Sequence, residues 1–359
     1  MKTTYRDDTA RTRSRLLILL TALLASVMLV LSGCSSASKS SASGASTTPS
    51  ASVSNKKLTV GLTYIPDIQF APFYVGVEKG FFADAGVDVS LRHHGAQESL
   101  FGALQAGNED VVYAGGDEMM AARSNDVDVR DWATLYQRYP VVLIVRADSP
   151  ITSPRDLVGK SVGVPGKEGE TYMGLQAMLN EYSIADSVDV QFIGYTQAAA
   201  LTSKKVDAVI GFENSQVPAL KASGVDVRAI PLSEHQLPLV GVGLGSLSGT
   251  VEKNSAAFTA LLSGLDKATA WARDHISETV ELSKKYVPSL ADAEQAKQAQ
   301  AVLENTLDLM QGEGNKPLGY QNADQWNAMA DFMEKNGFTA TRVESNTAFI
   351  DMTKQNSSN

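Results

Sequence analysis

The sequence predicts a two-lobed α/β protein with a helical C-terminal region, and three observations carry that prediction. Short apolar strands alternate with helical segments from Leu58 onward, the pattern of largely parallel sheets. The pattern halts and restarts around residues 141–149. Beyond Asn254 only helical periodicity remains.

In the first block, residues 58–62 alternate and read as a strand, and Pro66 breaks the loop that follows. Residues 71–79 read as a helix with Pro72 in its first turn, where a missing N–H costs nothing. Residues 81–86 read as a turn, 87–91 as a strand, 99–106 as a helix closed by Gly107, and 110–114 as a strand running into Gly115-Gly116. A helix over 118–124 and strands over 131–136 and 141–146 complete the block. In the second block, a helical turn at 153–157 precedes a strand at 161–164, a loop at 165–171 and a helix at 172–181. Strands at 188–193, 207–210 and 225–230 alternate with helices at 197–203 and 216–221. A strand at 239–244 can return to the first lobe, and helices follow at 255–275, 276–286, 291–311 and 323–336. Trp271, Met310, Trp326, Met329 and Phe332 in these last helices are expected to pack rather than to bind.

The N-terminal region is set apart by composition. Arg11, Arg13 and Arg15 precede the apolar run 16–31, about 16 residues and roughly 24 Å as a helix, which is short for a bilayer. Leu31-Ser32-Gly33-Cys34 resembles the lipobox of bacterial lipoproteins, so Cys34 is the expected lipidation site. Residues 35–55 are nearly all Ser, Ala, Thr and Gly, a flexible spacer. The expected division is a signal peptide at 1–33, a linker at 34–55, lobe I at 56–145 and 240–345, lobe II at 146–239, and a tail at 346–359. The leader removes five basic and two acidic residues from totals of 31 and 40, leaving a net charge of −12. That charge disfavours nucleic acid and anionic membrane surfaces as partners. With Cys34 the only cysteine, the body has no disulfide and no thiol chemistry.

The run from Leu62 to Phe82 (LTYIPDIQFAPFYVGVEKGFF), followed by Ala85-Gly-Val-Asp-Val89, resembles the opening of the NMT1/THI5-like (SsuA/THI5-like) family. Gly115-Gly-Asp-Glu-Met119, the run 153–166 (SPRDLVGKSVGVPG), and Val206-Asp-Ala-Val-Ile-Gly211 ahead of Glu213-Asn214 are similar to it as well. The resemblance implies a periplasmic-binding-protein type II fold, two α/β lobes around a cleft. It also implies a receptor that hands a small molecule to an ABC permease with its ATPase, at the extracytoplasmic face. A monomer without cofactor or metal is expected, held to the membrane through Cys34. Branches of the family bind hydroxymethylpyrimidine or formylaminopyrimidine, or sulfonates, nitrate or taurine. The eukaryotic branch synthesises the pyrimidine with a cysteine-rich cluster, and no cysteine follows Cys34 here.

In open α/β sheets ligands bind beyond the carboxyl ends of the strands, so the strand-to-helix loops hold the candidates. These loops carry Asp67, Asp117, Glu118, Glu170 and Glu213, an acidic rim suited to a cationic or N–H-donating ligand. An aminopyrimidine is both, and it favours that branch over the anionic nutrients. Tyr64, Phe70, Tyr172 and Phe212 are candidate platforms for a flat ring. Glu213 and Asn214 can match a donor–acceptor ring edge. Asp67 and Gln69 occupy the first loop, where turn chemistry around Pro66 is the alternative role. Gly115 offers close backbone approach, Asp117 a contact or a helix cap, and Thr171 a cap that turns amides toward the cleft. His94 ends a strand and can reach ligand, whereas adjacent His93 points to the opposite face, which argues against a shared metal. Gln137 and Tyr139 flank the crossover beside Pro140.

Overall fold

The computed structural model describes residues 55–353 except 64, 96, 97, 168, 236, 313 and 315. The signal peptide, Cys34, nearly all of the linker, and Tyr64 lie outside the described residues. The first sheet contains β1 (Lys56–Leu62), β2 (Val87–His93), β3 (Val111–Gly115) and β4 (Val129–Thr134). The second contains β5 (Val141–Arg146), β6 (Ser161–Val164), β7 (Asp189–Phe192), β8 (Ala208–Phe212) and β9 (Val227–Ile230). The last strand, β10 (Val242–Leu247), returns to the first sheet.

The sheets share one topology. Their orders are β2-β1-β3-β10-β4 and β7-β6-β8-β5-β9. In each, the strand arriving from the other lobe runs antiparallel between two neighbours: β10 between β3 and β4, and β5 between β8 and β9. The remaining pairings are parallel. The sheets are largely parallel, as expected, and each becomes mixed because a crossing of the chain inserts one reversed strand.

The first crossing falls before Val141, not at residue 146. β5 belongs wholly to the second sheet, and its first five residues are buried because sheet neighbours flank it on both sides. Residues 81–86, expected as a turn, contain the short helix Phe81–Ala85, pinned by Phe82, whose ring covers Gly76. Within the expected tail, residues 346–353 are held on the body. Ser345–Ala348 form a helical turn, Phe349 bridges to Asp131, and Met352 is fully buried. Apolar side chains at 348, 349 and 352 draw this segment onto the body.

The helix Ser248–Asp274 packs on the first lobe, where Trp132 stacks on Phe258 at 4.8 Å between ring centres. The helix Ala323–Lys335, expected in lobe I, puts Trp326, Met329 and Met333 into a cluster with Val141, Leu143 and Leu239. Its apolar face therefore belongs to the second lobe and the crossings. Beneath it Asp131 accepts from Gln321 Nε2 at 2.6 Å and from the Ala133 N–H at 2.9 Å. Gln321 Oε1 accepts from Thr134 Oγ1 and from the Trp326 indole. Gly243 of β10 lets this carboxyl pack against backbone, since a Cβ there would fall 2.2 Å from Asp131 Oδ2.

Candidate functional site

β3 ends at Gly115, and the helix Gly116–Ser124 starts at once. That abrupt strand-to-helix change brings Asp117 and Glu118 into the helix's first turn. Both are buried. Asp117 Oδ1 accepts from the Glu118 N–H at 2.8 Å, and Glu118 Oε2 accepts from the Gly115 N–H at 2.9 Å. The helix starts before Asp117, with Gly115 as its N-cap residue, so Asp117 bonds within the first turn and Glu118 bonds back to the cap; each carboxyl still keeps acceptor capacity. In the second lobe the helix Gly169–Glu181 follows β6 and buries Glu170 and Thr171 in its first turn.

The two helix starts meet. A Cβ on Gly115 would lie 2.8 Å from Glu170 Oε1, so only glycine admits this approach of the second lobe's carboxyl to the first lobe's strand end. Tyr139, in the first crossing, donates to Asp117 Oδ2 at 2.7 Å and lies 3.0 Å from the Glu170 carbonyl oxygen. One phenol thus touches both lobes. Asn214, fully buried after β8, reaches Thr306 Oγ1 at 2.9 Å and the Tyr136 hydroxyl at 3.4 Å through Nδ2. Its Oδ1 has no partner, and neither has Glu170 Oε1.

The electrostatics follow from burial of like charges. Asp117 is raised above the ordinary carboxylate range by burial, against the pull of the Tyr139 hydroxyl. Glu118 is raised by burial and then by the Asp117 charge. Glu170 is raised strongly by burial, then by Asp117 and Glu118. The phenols of Tyr113, Tyr136 and Tyr139 are all pushed up by burial, and the charge of Glu170 adds to each. These phenols therefore stay protonated beside the acids.

The structure brings together Gly115, Asp117, Glu118 and Glu170, with Thr171 next to Glu170, and links Asn214 to them through Tyr136. It separates the expected pair Glu213 and Asn214: the Glu213 side chain is 45 % exposed and faces Arg138 at 3.8 Å. Phe70 is 1 % exposed and packs edge-on to Tyr113 in the first core, so it is no open platform. Asp67 accepts from the Gln69 N–H at 3.0 Å, the turn chemistry that Pro66 suggested, and its charge still acts on Tyr113 and Tyr136. Gln69 is half-buried in the helical turn that Asp67 caps. His94 is drawn away from these carboxylates, with Nε2 at 2.8 Å and 3.0 Å from the two oxygens of buried Glu109. Phe212 and Tyr172 are half-buried against the second core, and Tyr172 lies 6.4 Å from Phe192. Tyr113, Tyr136 and Thr306 adjoin the candidate site, and sequence reasoning missed them. The signal available for Tyr136 was its place beside Tyr139 in the crossing; Thr306 sits on a helix distant in sequence and gave none.

Residues 67–279 match the family described as NMT1/THI5 like. A riboflavin-binding protein, RibY, of Chloroflexus aurantiacus is 28 % identical over 90 % of this chain and 94 % of its own length. A formylaminopyrimidine-binding protein of Halalkalibacterium halodurans is 23 % identical over 82 % of this chain and 89 % of its own. Among solved structures, the periplasmic aliphatic sulphonate binding protein SsuA of Escherichia coli superposes with a TM-score of 0.64 at 18 % identity, covering 81 % of this chain and 96 % of that one.

Proposed function

The chain belongs to the NMT1/THI5-like family, and on that premise we propose that it is the substrate-binding protein of an ABC importer, capturing a flat, nitrogen-rich nutrient of the thiamine-pyrimidine type between its lobes without transforming it. The observation that carries this reading is the buried, unpartnered Oε1 of Glu170 facing Gly115 across the lobes, with the unpartnered Oδ1 of Asn214 as a second acceptor. Both oxygens are buried; carboxyls and tyrosines lie about Glu170, and Tyr136 lies beside Asn214. Such a surface asks for hydrogen-bond donors. It suits an aminopyrimidine and opposes sulfonate or nitrate, whose binding calls for cations or free amides. Tyr139 spans both lobes, so a ligand seated beside it reports on both and shifts the population toward closure.

A second reading keeps the receptor and changes the cargo to riboflavin. The relative that is 28 % identical over nearly the whole chain favours it, and the flavin's ring N–H and ribityl hydroxyls are also donors. A thermal-shift panel separates the readings. Hydroxymethylpyrimidine, formylaminopyrimidine, riboflavin, taurine and nitrate are added in turn to the purified protein. A ligand present at a hundred times its Kd adds about 2.7 kcal/mol, a shift of a few degrees. Pyrimidines are expected to give that shift; a shift with taurine or nitrate alone would discard the donor-ligand reading.

Anchoring at the extracytoplasmic face is proposed from the lipobox-like Leu31-Ser32-Gly33-Cys34. Among the described residues no helix is long and apolar enough to cross a membrane. Cys34→Ser is expected to move the protein from the membrane to the soluble fraction on cell fractionation; unchanged membrane retention contradicts lipidation.

A further inference from the structure

Glu170 is the acid in the cleft whose charge the chain leaves unanswered. Its residue is 6 % exposed, and Oε1 has no hydrogen-bond partner. It is directed at Gly115, across the lobe boundary. The groups that act on it or feel its charge are Asp117 and Glu118 on the first-lobe helix, Tyr113 on β3, and Tyr136 and Tyr139 in the crossing. Every one of these is an acid or a phenol. Among the described residues no Lys, Arg or His bonds to Asp117, Glu118 or Glu170. The nearby cation Arg138 is spent at the rim on Glu213.

Three buried carboxyls without a counter-charge are expensive unless they protonate or receive a cation. Their arrangement is not that of a metal centre. Among the described residues the trio whose ligand atoms come within 4.8 Å of one another is His94, Glu98 and Glu109. Arg92 already occupies that trio, pairing with Glu98 and Glu109 at 2.5 Å each. The cleft acids are instead spread over two lobes, as for a larger cation carrying several N–H groups.

We infer that Asp117, Glu118 and Glu170, contributed by the two lobes, form a cation clamp, and that the ligand enters it as a positively charged nitrogen group of amidinium or ammonium type. This rests on the receptor reading above and adds to it the charge state of the cargo and the residue that selects it. Glu170 brings the second lobe's half of the clamp. Its pairing with the ligand's N–H cation replaces repulsion between lobes by attraction, so the charged nitrogen itself favours closure. A neutral ring of the same shape leaves the acids to protonate and gains less.

The test is titration calorimetry on the full chain, wild type and Glu170→Gln. The probes are hydroxymethylpyrimidine, its oxo analogue lacking the basic amidine edge, and riboflavin. Each is measured near pH 6 and pH 8 in two buffers of different ionisation heat. Wild type is expected to bind the aminopyrimidine at least about tenfold tighter than the oxo analogue, with net proton release at the lower pH, where the entering cation displaces protons that the buried acids hold. Glu170→Gln is expected to lose at least about tenfold for the aminopyrimidine and less than about threefold for the oxo analogue. Equal wild-type affinity for the two pyrimidines overturns the clamp, and that comparison needs no folded variant. So does an equal loss for both in Glu170→Gln. Riboflavin binding unaffected by Glu170→Gln, with neither pyrimidine bound, overturns the clamp and leaves the receptor reading standing. Heat from none of the three overturns both.

Discussion

Warming the ligand-free protein at pH 5 and at pH 8 is expected to give the higher unfolding temperature at pH 5, and Asp131→Asn is expected to remove a separable share of the difference. Asp131 is fully buried, and burial pushes its carboxyl from the ordinary 3.8 up to about 7, against the bonds from Gln321, Ala133 and Thr134. Between those two values the folded chain holds a proton that the unfolded chain has released. The stabilisation is complete below the ordinary carboxylate value and is lost as pH rises through about 7. At one pKa unit per 1.36 kcal/mol the full loss is on the order of 4 kcal/mol. Asp117, Glu118 and Glu170 are raised as well and slope the same way. The opposite slope comes from carboxylates held low by partners. Glu78 is lowered by hydrogen bonds from Lys285 and Tyr286, and Asp207 by the Ser161 backbone N–H. Their contribution disappears in stronger acid, below the ordinary carboxylate range. Stability is therefore expected to peak in mild acid. Asp131→Asn retains an acceptor for the two N–H donors and has no proton to lose, so its pH curve should be flatter. Parallel curves for the two proteins would show that Asp131 does not hold this proton in the folded state.

Trp326→Ala is expected to lower the unfolding free energy by about 3–5 kcal/mol, read as a fall in the urea midpoint. The indole is fully buried, stacks on Phe349 at 5.4 Å, and donates to Gln321 Oε1 at 2.7 Å. Truncation removes a large packed volume and one of the two bonds to the Gln321 carbonyl, the other coming from Thr134. Trp326→Phe keeps most of the ring and loses the donor, so about 1–3 kcal/mol is expected. The indole also lies against Gly116, where a Cβ would meet it at 3.2 Å. Loosening it should disturb the helix start that carries Asp117 and Glu118, so ligand affinity is expected to fall with stability. An unchanged urea midpoint in Trp326→Ala would mean that the C-terminal helix contributes nothing to holding the crossings.

Much of the architecture could be read from the chain because strand periodicity and helix punctuation are local. The strands at 56–62, 87–93 and 111–115, the return of 242–247 to the first sheet, and the four late helices were all legible. The orientation of β5 and β10 was not, since strand direction within a sheet depends on which neighbours the crossings place beside it. Phe81–Ala85 reads as a turn in sequence because five residues carry too little periodicity to distinguish a helix, and only burial of Phe82 settles it. The docking of Phe349 and Met352 was hidden for a similar reason: two apolar residues in a polar C-terminal stretch show no pattern until a surface exists to receive them.

The acidic character of the cleft followed from residue types at strand ends, and Asp117, Glu118 and Glu170 needed only the α/β reading to be found. Sequence could not decide which acids face one another. Glu213 and Asn214 are neighbours, yet one pairs with Arg138 at the rim and the other is buried against Thr306, ninety-two residues away. By itself the amino-acid sequence determined the two-lobe plan and the sign of the charge at the cleft, because periodicity and composition are properties of short stretches, and its motifs carried the resemblance to the family. Tertiary structure alone decided that Glu170 meets Gly115 across the lobes with no partner, and that Tyr139 ties the lobes together. Those are distances between segments folded separately, and they are set by how the two crossings close the chain on itself.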